Sequence, residues 1–229
     1  MGAVCECCKQ ENLSKSVEKD NFHARLVQDR TGHDFSESYE VLEVIGVGSI
    51  SKISLITPKK GRLSNANFYA LKEIDTGVIE KKLVDELENE LKLLKALDHP
   101  NIIKVYETFE LKNRKAIVME LCSGGDLYKR HPYSEKQAAK IVKECLSAIA
   151  YLHSHNVIHR DVKYENIMFE SDAPNAQVKL IDFGLSKSFL RKNDVMTERV
   201  GTLYTMSPQV LQGVYTAQAD LWSLGIVAF

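Results

Sequence analysis

The spacing of apolar and polar residues predicts a run of strands followed by a run of helices, beginning at Tyr39. Apolar residues alternate with polar ones over 40–45 and resume over 53–56, and glycines interrupt the alternation at 46–48. This pattern indicates a β-hairpin with a glycine-rich turn. Further short apolar runs predict three more strands, at 68–72, 102–107 and 116–121.

Three segments have helical periodicity or a helix-start signal. Leucines recur every three or four residues over 80–97, which predicts an amphipathic helix that ends before Pro100. A long helix is expected to begin at Ser134, because serine is a favoured N-cap and apolar residues follow at helical spacing. A third, strongly apolar helix is expected from Asp220.

A cluster of polar residues lies between two of these predicted elements. The segment His159-Arg160-Asp161-Val162-Lys163-Tyr164-Glu165-Asn166 places an acid, an ammonium and an amide close together in an expected loop. Two apolar runs, at 167–169 and 178–181, predict a small hairpin, and Asp182-Phe183-Gly184 follows it. Such a hairpin would bring Asn166 and Asp182 near one another.

These two motifs, in this order, resemble the catalytic core of eukaryotic protein kinases. The resemblance covers nearly all of residues 39–229. It implies an α+β, bilobal protein kinase fold with a strand-rich N-lobe at 39–122 and a helical C-lobe from 123 to 229. The family's large lobe continues through further helices, so we expect an incomplete C-lobe, that is, a C-terminally truncated catalytic domain, and a mobile N-terminal extension over residues 1–38.

The resemblance assigns catalytic roles to the polar cluster. Asp161 would accept or orient the proton of a substrate hydroxyl. Asn166 and Asp182 would hold Mg²⁺, a hard cation that prefers oxygen ligands. Read singly, each of these residues could be an ordinary surface group, but their joint register favours the catalytic interpretation.

Lys72 and Lys163 would neutralise charge on the phosphates of ATP. The family pairs the strand lysine with a helix glutamate, and the surrounding sequence selects Glu90 for this role. Glu86 and Glu88 fit better as solvated charges on the exposed face of the helix.

The resemblance also implies an ATP site between the lobes. Glu120 would offer its carbonyl group, and Cys122 its N–H, to the adenine. Without the resemblance, the apolar residues of this set would be read as core, and the glycines as a turn. Ser51 and Ile53 depart from the glycine and valine usual in the family. The expected ATP-binding residues are Ile45, Gly46, Val47, Gly48, Ser49, Ile53, Ala70, Lys72, Met119, Glu120, Cys122, Met168 and Asp182.

Several segments narrow the resemblance to one group of kinases. Lys163 and the pair Gly201-Thr202 are typical of serine/threonine kinases. The segments 120–127, 151–155 and 179–186 resemble calcium-dependent and calmodulin-dependent protein kinases. The implied function is transfer of the γ-phosphoryl group of Mg-ATP to Ser or Thr hydroxyls of protein substrates in calcium-linked signalling. The alternative is a catalytically impaired kinase-like fragment that acts only in binding.

Substrate choice and regulation are further expectations of the resemblance. Asp126 and Glu165 match positions that face substrate arginines, which predicts phosphorylation at basic sites. Arg160 is of the kind that receives an activation-loop phosphate, and Thr197 and Glu198 lie near the usual phosphosite; Glu198 could equally be a solvated loop charge. The usual Ala-Pro-Glu is replaced by Ser207-Pro208-Gln209, a departure that favours the binding-only alternative.

Composition excludes some functions. With 30 basic and 31 acidic residues the formal net charge is −1, which argues against a nucleic-acid surface. No apolar run approaches the roughly 18–20 residues needed to span a bilayer. The five cysteines do not form a disulfide framework, which favours a reducing, cytoplasmic location.

The N-terminus offers a route to membrane association. Gly2 followed by Cys5, Cys7 and Cys8 is similar to an acylated anchor, but Glu6 stands where the myristoylation pattern has Ser or Thr. Acylation and a plain solvated tail are therefore both open.

Overall fold

The computed structural model describes residues 27–48, 51–59, 68–77, 80–190 and 194–229, with the side chains of 82, 83 and 86 excepted. The predicted acylation sites Gly2, Cys5, Cys7 and Cys8 lie outside the described residues, as does the predicted ATP-site residue Ser49.

The N-terminal part of the described chain is a twisted sheet with one helix. Its strands are β1 (Gln28–Thr31), β2 (Tyr39–Val47), β3 (Ser51–Pro58), β4 (Tyr69–Asp75), β5 (Val105–Leu111) and β6 (Arg114–Met119). Their spatial order is β1-β5-β6-β4-β3-β2. Every neighbouring pair is antiparallel except β1 with β5, which is parallel. The predicted glycine-containing hairpin corresponds to β2 and β3.

Two expectations about this sheet need correction. Ordered structure begins before Tyr39, because β1 and a 3₁₀ helix (Phe35–Glu37) fall within the predicted mobile extension. The strand predicted at 102–107 lies instead at Val105–Leu111. In the later part of this strand, apolar and charged residues alternate, and the strand pairs with β6 across a tight turn at Asn113. The φ of Asn113 is 77°, a left-handed conformation that asparagine tolerates better than most residues.

Helix α1 (Lys81–Ala96) covers the sheet and carries Glu90. Its predicted leucine stripe is buried at every described position, and these residues join the main core: Leu87, Leu91, Leu94 and Leu97. The helix stops at Leu97, whose extended backbone ends the helical repeat.

The C-terminal part is helical with short strands. Helix α2 (Glu135–Ser154) begins at the predicted N-cap: the Ser134 side chain accepts a hydrogen bond from the N–H of Gln137, and the Gln137 side chain accepts one from the N–H of Ser134. The remaining elements are the 3₁₀ helix Tyr128–Arg130, β7 (Val157–Ile158), the 3₁₀ helix Tyr164–Asn166, β8 (Ile167–Phe169), β9 (Val178–Leu180), β10 (Lys187–Ser188), α3 (Pro208–Gln212) and α4 (Ala219–Ala228).

One apolar core runs from the sheet into the helical part. Leucines of α1, apolar residues of α2 and both strands of the β8–β9 hairpin belong to the same buried cluster. This continuity fixes the hairpin, and the polar loops on either side of it, against both parts. In the described portion of the chain, no helix is long and apolar enough to cross a membrane.

Candidate active site

Three polar side chains contact Asp161, which lies in the loop between β7 and β8. Lys163 Nζ lies 2.8 Å from one carboxylate oxygen of Asp161. Thr202, from the segment after β10, donates to the other at 2.6 Å, and Asn166 Nδ2 donates to the carboxylate at 3.0 Å. Lys163 also contacts Thr202 at 3.0 Å, so the four groups form one network.

These contacts keep Asp161 ionised. Burial by itself raises the pKa of Asp161, but the hydrogen bonds from Lys163 and Thr202, with the positive charge of Lys163, outweigh it and lower the pKa below its ordinary value. The carboxylate is therefore available as a hydrogen-bond acceptor at neutral pH.

A buried carboxylate from α4 holds the backbone of this loop. Asp220, only 1% exposed, accepts hydrogen bonds at 2.9 Å from the backbone N–H groups of His159 and Arg160. It also accepts from His153 Nε2 of α2 at 2.9 Å. Sequence reasoning assigned Asp220 only to the start of a helix, because its partners lie about 60 residues away in the chain. The feature of the sequence that could have indicated its role is the position of an acidic residue within an otherwise apolar segment.

His159 joins the loop between β7 and β8 to the segment after β9. Its Nδ1 accepts from the Asp161 N–H at 3.3 Å, so Nε2 carries the proton and donates to the carbonyl of Ile181 at 3.1 Å. The imidazole also packs edge-on against the fully buried ring of Phe183, with ring centroids 4.9 Å apart. Residues on both sides of the hairpin are thereby fixed relative to each other.

The β8–β9 hairpin places Asn166 beside Asp182, as expected. The N–H of Ile181 donates to the carbonyl of Asn166 at 2.9 Å. Asp182 has a left-handed φ of 61° and accepts from the Gly184 N–H at 3.3 Å. Since Asn166 uses its amide nitrogen toward Asp161, its amide oxygen remains for a cation.

The donor set fits Mg²⁺ better than a transition metal. Among the residues that the structure describes, no group of three or more His, Cys, Asp or Glu side chains could hold a metal. Mg²⁺ usually takes one or two protein oxygens together with water and phosphate, and Asn166 with Asp182 supplies such a pair.

Lys72 and Glu90 form the pair that the resemblance implied. Lys72 Nζ on β4 lies 3.4 Å from Glu90 Oε1 on α1, and Glu90 is buried. Glu88 instead points to Lys115 of β6, at 2.9 Å, and is half-exposed. The structure thus places Glu90, and not Glu88, against Lys72, and the role of this pair stays a prediction; the side chain of Glu86 is not described.

A cavity of about 390 Å³ lies beside this pair, between the sheet and the β8–β9 hairpin. Lys72, Glu90, Asn166 and Asp182 are at its polar end. The predicted residues that line it are Ile45, Gly46, Ile53, Ala70, Lys72, Met119, Glu120, Cys122, Met168 and Asp182. Further lining residues, which we had not predicted, are Ser51, Leu94, Ile103, Ile117, Leu121 and Ile181. Most of the latter are apolar strand or helix residues that a sequence cannot distinguish from core.

Val47 and Gly48 do not line this cavity. Val47 is 80% exposed, and Gly48 borders a separate cavity on the outer side of the sheet. Their placement in the ATP site rests on the family resemblance.

The connection between the two parts of the molecule is tied down electrostatically. Glu120 pairs with Lys179 of β9 at 2.8 Å, and its N–H donates to the carbonyl of Lys104 at 2.9 Å. Burial, followed by the nearby charge of Glu120, raises the pKa of the Cys122 thiol to about 12, so this cysteine stays a neutral, unreactive lining residue.

The two predicted substrate-binding acids are both engaged. Asp126 accepts from the Lys129 N–H at 3.0 Å and lies 3.8 Å from the Lys129 ammonium. Glu165 is exposed and accepts a hydrogen bond from the hydroxyl of Tyr204 at 2.7 Å. Tyr204 was not predicted, because nothing in the sequence links it to Glu165.

The segment after β10 contacts Arg160 through Glu198. Arg160 NH1 lies 3.7 Å from Glu198 Oε2, and Lys187 lies on the other oxygen. The hydrogen bond from Lys187, more than the other contacts, lowers the pKa of Glu198 to about 2. Thr197, the predicted neighbour, is exposed. Glu198 is therefore ion-paired with Arg160 and Lys187 while it remains about half exposed, and its regulatory role stays a prediction.

The comparisons with known proteins agree with this geometry. Residues 39–229 match the family described as protein kinase domain, and the chain belongs to that family. The predicted α+β protein kinase fold is thereby confirmed.

The relatives are calcium-linked kinases. The chain is 34% identical over 232 residues to calcium-dependent protein kinase 4 of Plasmodium berghei (strain Anka), an alignment that covers 96% of the chain and 43% of that protein. It is 38% identical over 201 residues to calcium-dependent protein kinase 4 of Plasmodium falciparum (isolate 3D7), covering 85% of the chain and 37% of the relative.

A calmodulin-linked relative is also similar. The chain is 32% identical over 228 residues to calcium/calmodulin-dependent protein kinase type 1 of Macrobrachium nipponense, covering 96% of the chain and 62% of that protein. The chain thus spans less than two thirds of the length of each of these three relatives. The predicted resemblance to calcium-dependent and calmodulin-dependent kinases is confirmed.

Proposed function

We propose that this chain transfers the γ-phosphoryl group of Mg-ATP to serine or threonine hydroxyls of protein substrates. The observation that carries the proposal is a cavity that combines an apolar slot with the Lys72–Glu90 pair, Asn166 and Asp182 at one end. An apolar slot suits the faces of a purine, and the polar end suits phosphates and a divalent cation.

The positively charged residues of the site would contact the phosphates, and the oxygen-bearing residues would bind the cation. Lys72, held by Glu90, and Lys163 would offset negative charge on the phosphates. Asn166 and Asp182 would provide oxygen ligands for Mg²⁺, which, when bound, supplies charge neutralisation at the phosphates. Positioning and electrostatics of this kind supply most of the catalysis in phosphoryl transfer.

Asp161 would act on the substrate hydroxyl. Its carboxylate is ionised, and Lys163 and Thr202 fix its direction. An ionised, oriented carboxylate can accept the hydrogen bond of the attacking hydroxyl and take its proton as the new O–P bond forms and the bond from the γ-phosphorus to the departing ADP oxygen breaks.

The test is to compare the chain with Lys72→Met and Asp182→Asn in phosphoryl transfer to a Ser/Thr peptide. We expect both substitutions to reduce transfer to background, with circular dichroism and thermal unfolding nearly unchanged. Matched controls are Lys52→Met, a β3 lysine outside the cavity, and Asp194→Asn. Transfer that survives in either cavity variant would contradict the proposal. Nucleotide binding without any transfer by the parent chain would favour the binding-only alternative.

We further propose basic protein sites as substrates and a role in calcium-linked signalling. The first proposal is supported by the exposed carboxylate of Glu165 and the partly exposed one of Asp126. The second is supported by the names of the relatives. Cytoplasmic location, with membrane association through acylated Gly2 and a nearby cysteine, stays a prediction and is testable by metabolic labelling with myristate and palmitate.

A further inference from the structure

The segment before Gly32 adds a strand to the edge of the sheet. Strand β1 pairs in parallel with β5 over four residues, from Gln28 opposite Glu107 to Thr31 opposite Glu110. The N–H of Gly32 continues the pairing by donating to the carbonyl of Glu110 at 2.9 Å. Arg30 lies 3.2 Å from the mostly buried Glu107 carboxylate, so the strand is held by side chains as well as by backbone.

The same segment also contacts helix α1. Asp29 lies 2.5 Å from Lys95, in the last turn of α1, and accepts a hydrogen bond from Thr108 of β5. Burial raises the pKa of Asp29, but the hydrogen bonds from Lys95 and Thr108 outweigh it and lower the pKa. Val27 packs against the main core, and with Leu94 of α1 it borders a gap of about 30 Å³.

Helix α1 connects these contacts to the catalytic pair. Leu94 is one turn beyond Glu90, and it lines the ATP cavity as well as the gap beside Val27. Because a helix of 16 residues moves largely as a unit, a displacement at Leu94 and Lys95 moves the Glu90 carboxylate relative to Lys72.

We propose that the β1 segment, defined as Val27–Thr31, positions Glu90 for its contact with Lys72, with Asp29 and Val27 as positioning residues. Asp29 acts through Lys95, and Val27 acts through Leu94. The exposed ion pair of Asp29 is weak alone. Its effect depends on the pairing of β1 with β5, which fixes the backbone of Asp29 over the end of α1. An exposed ion pair on an unpaired segment would lack this support.

Two truncations isolate the segment. One removes residues 1–26, and the other removes residues 1–31, so that only the β1 segment differs between them. We expect the longer truncation to lower kcat/KM for phosphoryl transfer about 2- to 30-fold relative to the shorter one, the range usual for coupling between separate sites. Equal kcat/KM values would overturn the proposal.

A chemical readout does not depend on activity. An ammonium held by a carboxylate is shielded from acylating reagents, so the acylation rate of Lys72, followed by mass spectrometry, reports the Lys72–Glu90 contact. We expect Lys72 to react several-fold faster in the longer truncation. Lys52, which pairs with Glu73 at 2.9 Å between β3 and β4, is the internal control, and its rate should not change.

A charge exchange tests the Asp29–Lys95 contact if the longer truncation fails to fold. Asp29→Lys and Lys95→Asp should each raise the Lys72 acylation rate, and the double variant should restore it toward that of the parent. A double variant no better than the single ones would overturn the role of Asp29. The inference rests on the proposed function only for the kcat/KM measurement: an inactive parent with a segment-dependent Lys72 rate would refute the proposed function and leave the positioning role standing.

Discussion

The hydrogen bond from Tyr204 to Glu165 restricts a carboxylate that would otherwise rotate freely in solvent. Tyr204 is about half-exposed, and burial followed by its bond to Glu165 raises the pKa of its phenol above the ordinary value. The phenol therefore stays protonated near neutral pH and keeps donating. A glutamate fixed in this way loses less side-chain entropy when it binds a guanidinium.

The first prediction concerns this pair of residues. Glu165→Gln should raise KM about 3- to 10-fold for peptides with arginine two or three residues before the target serine, since the bound ion pair is lost. Tyr204→Phe should raise the same KM about twofold, because it removes only the restraint on Glu165 and leaves the carboxylate to pair with the arginine. KM for a matched peptide with alanine in place of arginine should not change.

Tyr128→Phe is the control, because Tyr128 is 79% exposed. If Glu165→Gln affects both peptides equally, the basic-site proposal is wrong. If Glu165→Gln raises KM for the arginine peptide but Tyr204→Phe does not, Glu165 does not need the hydrogen bond from Tyr204 to bind the arginine.

The second prediction concerns the pH dependence of Glu198. Its pKa in the folded chain, about 2, is lower than its ordinary value of 4.5. Because the pKa of Glu198 is lower in the folded chain, the ionised carboxylate stabilises the fold fully at pH values above the pKa of the unfolded chain. This stabilisation is lost as the pH falls from 4.5 toward 2. Because Glu198 is largely solvated, the effect is modest and sensitive to salt.

Thermal unfolding of Glu198→Gln and the parent should therefore differ by a constant amount between pH 6 and pH 8. The difference should shrink below about pH 4.5. A difference that grows as the pH falls would contradict the assignment of the ion pair with Lys187 and Arg160.

In the same variants, phosphatase treatment tests whether Glu198 replaces a phosphate at Thr197. Loss of activity of the parent chain after phosphatase treatment would exclude this role of Glu198.

At the scale of elements, the segment after β10 is fitted closely to the catalytic loop at Gly201. Its φ of 119° is a conformation that other residues rarely adopt, and a Cβ placed there would lie 2.5 Å from the carbonyl oxygen of Arg160. The backbone of the segment therefore rests directly on the loop, and the next residue, Thr202, reaches Asp161.

The third prediction is that Gly201→Ala reduces stability by about 1–3 kcal/mol and reduces kcat more than KM for ATP, because Thr202 is displaced from Asp161. Gly225→Ala in α4 is the matched control. A Cβ there meets nothing within 4 Å, so the helix should gain about 0.5–1 kcal/mol. Chemical denaturation and steady-state kinetics measure both effects. Unchanged kcat in Gly201→Ala would show that this close approach is not needed for catalysis.

At the scale of the whole molecule, Asp220 connects three distant parts of the C-terminal half. Asp220 lies in the first turn of α4, and its carboxylate links this helix to the loop between β7 and β8 through two backbone N–H groups and to α2 through His153. The hydrogen bonds from several donors compensate for the burial of this carboxylate. Removal of the carboxylate would leave those donors buried without partners.

The fourth prediction is that Asp220→Ala reduces the free energy of unfolding by about 3–5 kcal/mol and lowers kcat. Asp220→Asn, which keeps one accepting oxygen, should lose less. Urea denaturation measures the stability, and transfer assays measure kcat. A loss of less than about 1 kcal/mol in Asp220→Ala would mean that other contacts hold the loop.

The sequence alone determined the elements with strong local signals. The leucine spacing of α1, the Ser134 cap of α2 and the two short apolar runs of the β8–β9 hairpin each specify local structure through contacts between near neighbours. The motif at 159–166 and the one at 182–184 carried the resemblance to protein kinases on which the proposed catalytic roles rest.

Only the tertiary structure decided what depends on residues far apart in the chain. Strand β1 has few apolar residues, and its partner β5 lies nearly 80 positions later, so no local pattern marks it as a strand. The contact of Tyr204 with Glu165 likewise joins side chains 39 residues apart. Asp220 reads as a helix start until the fold brings His159 and Arg160 to it. Local spacing specifies an element and its face, whereas such partners are chosen by packing of the whole chain.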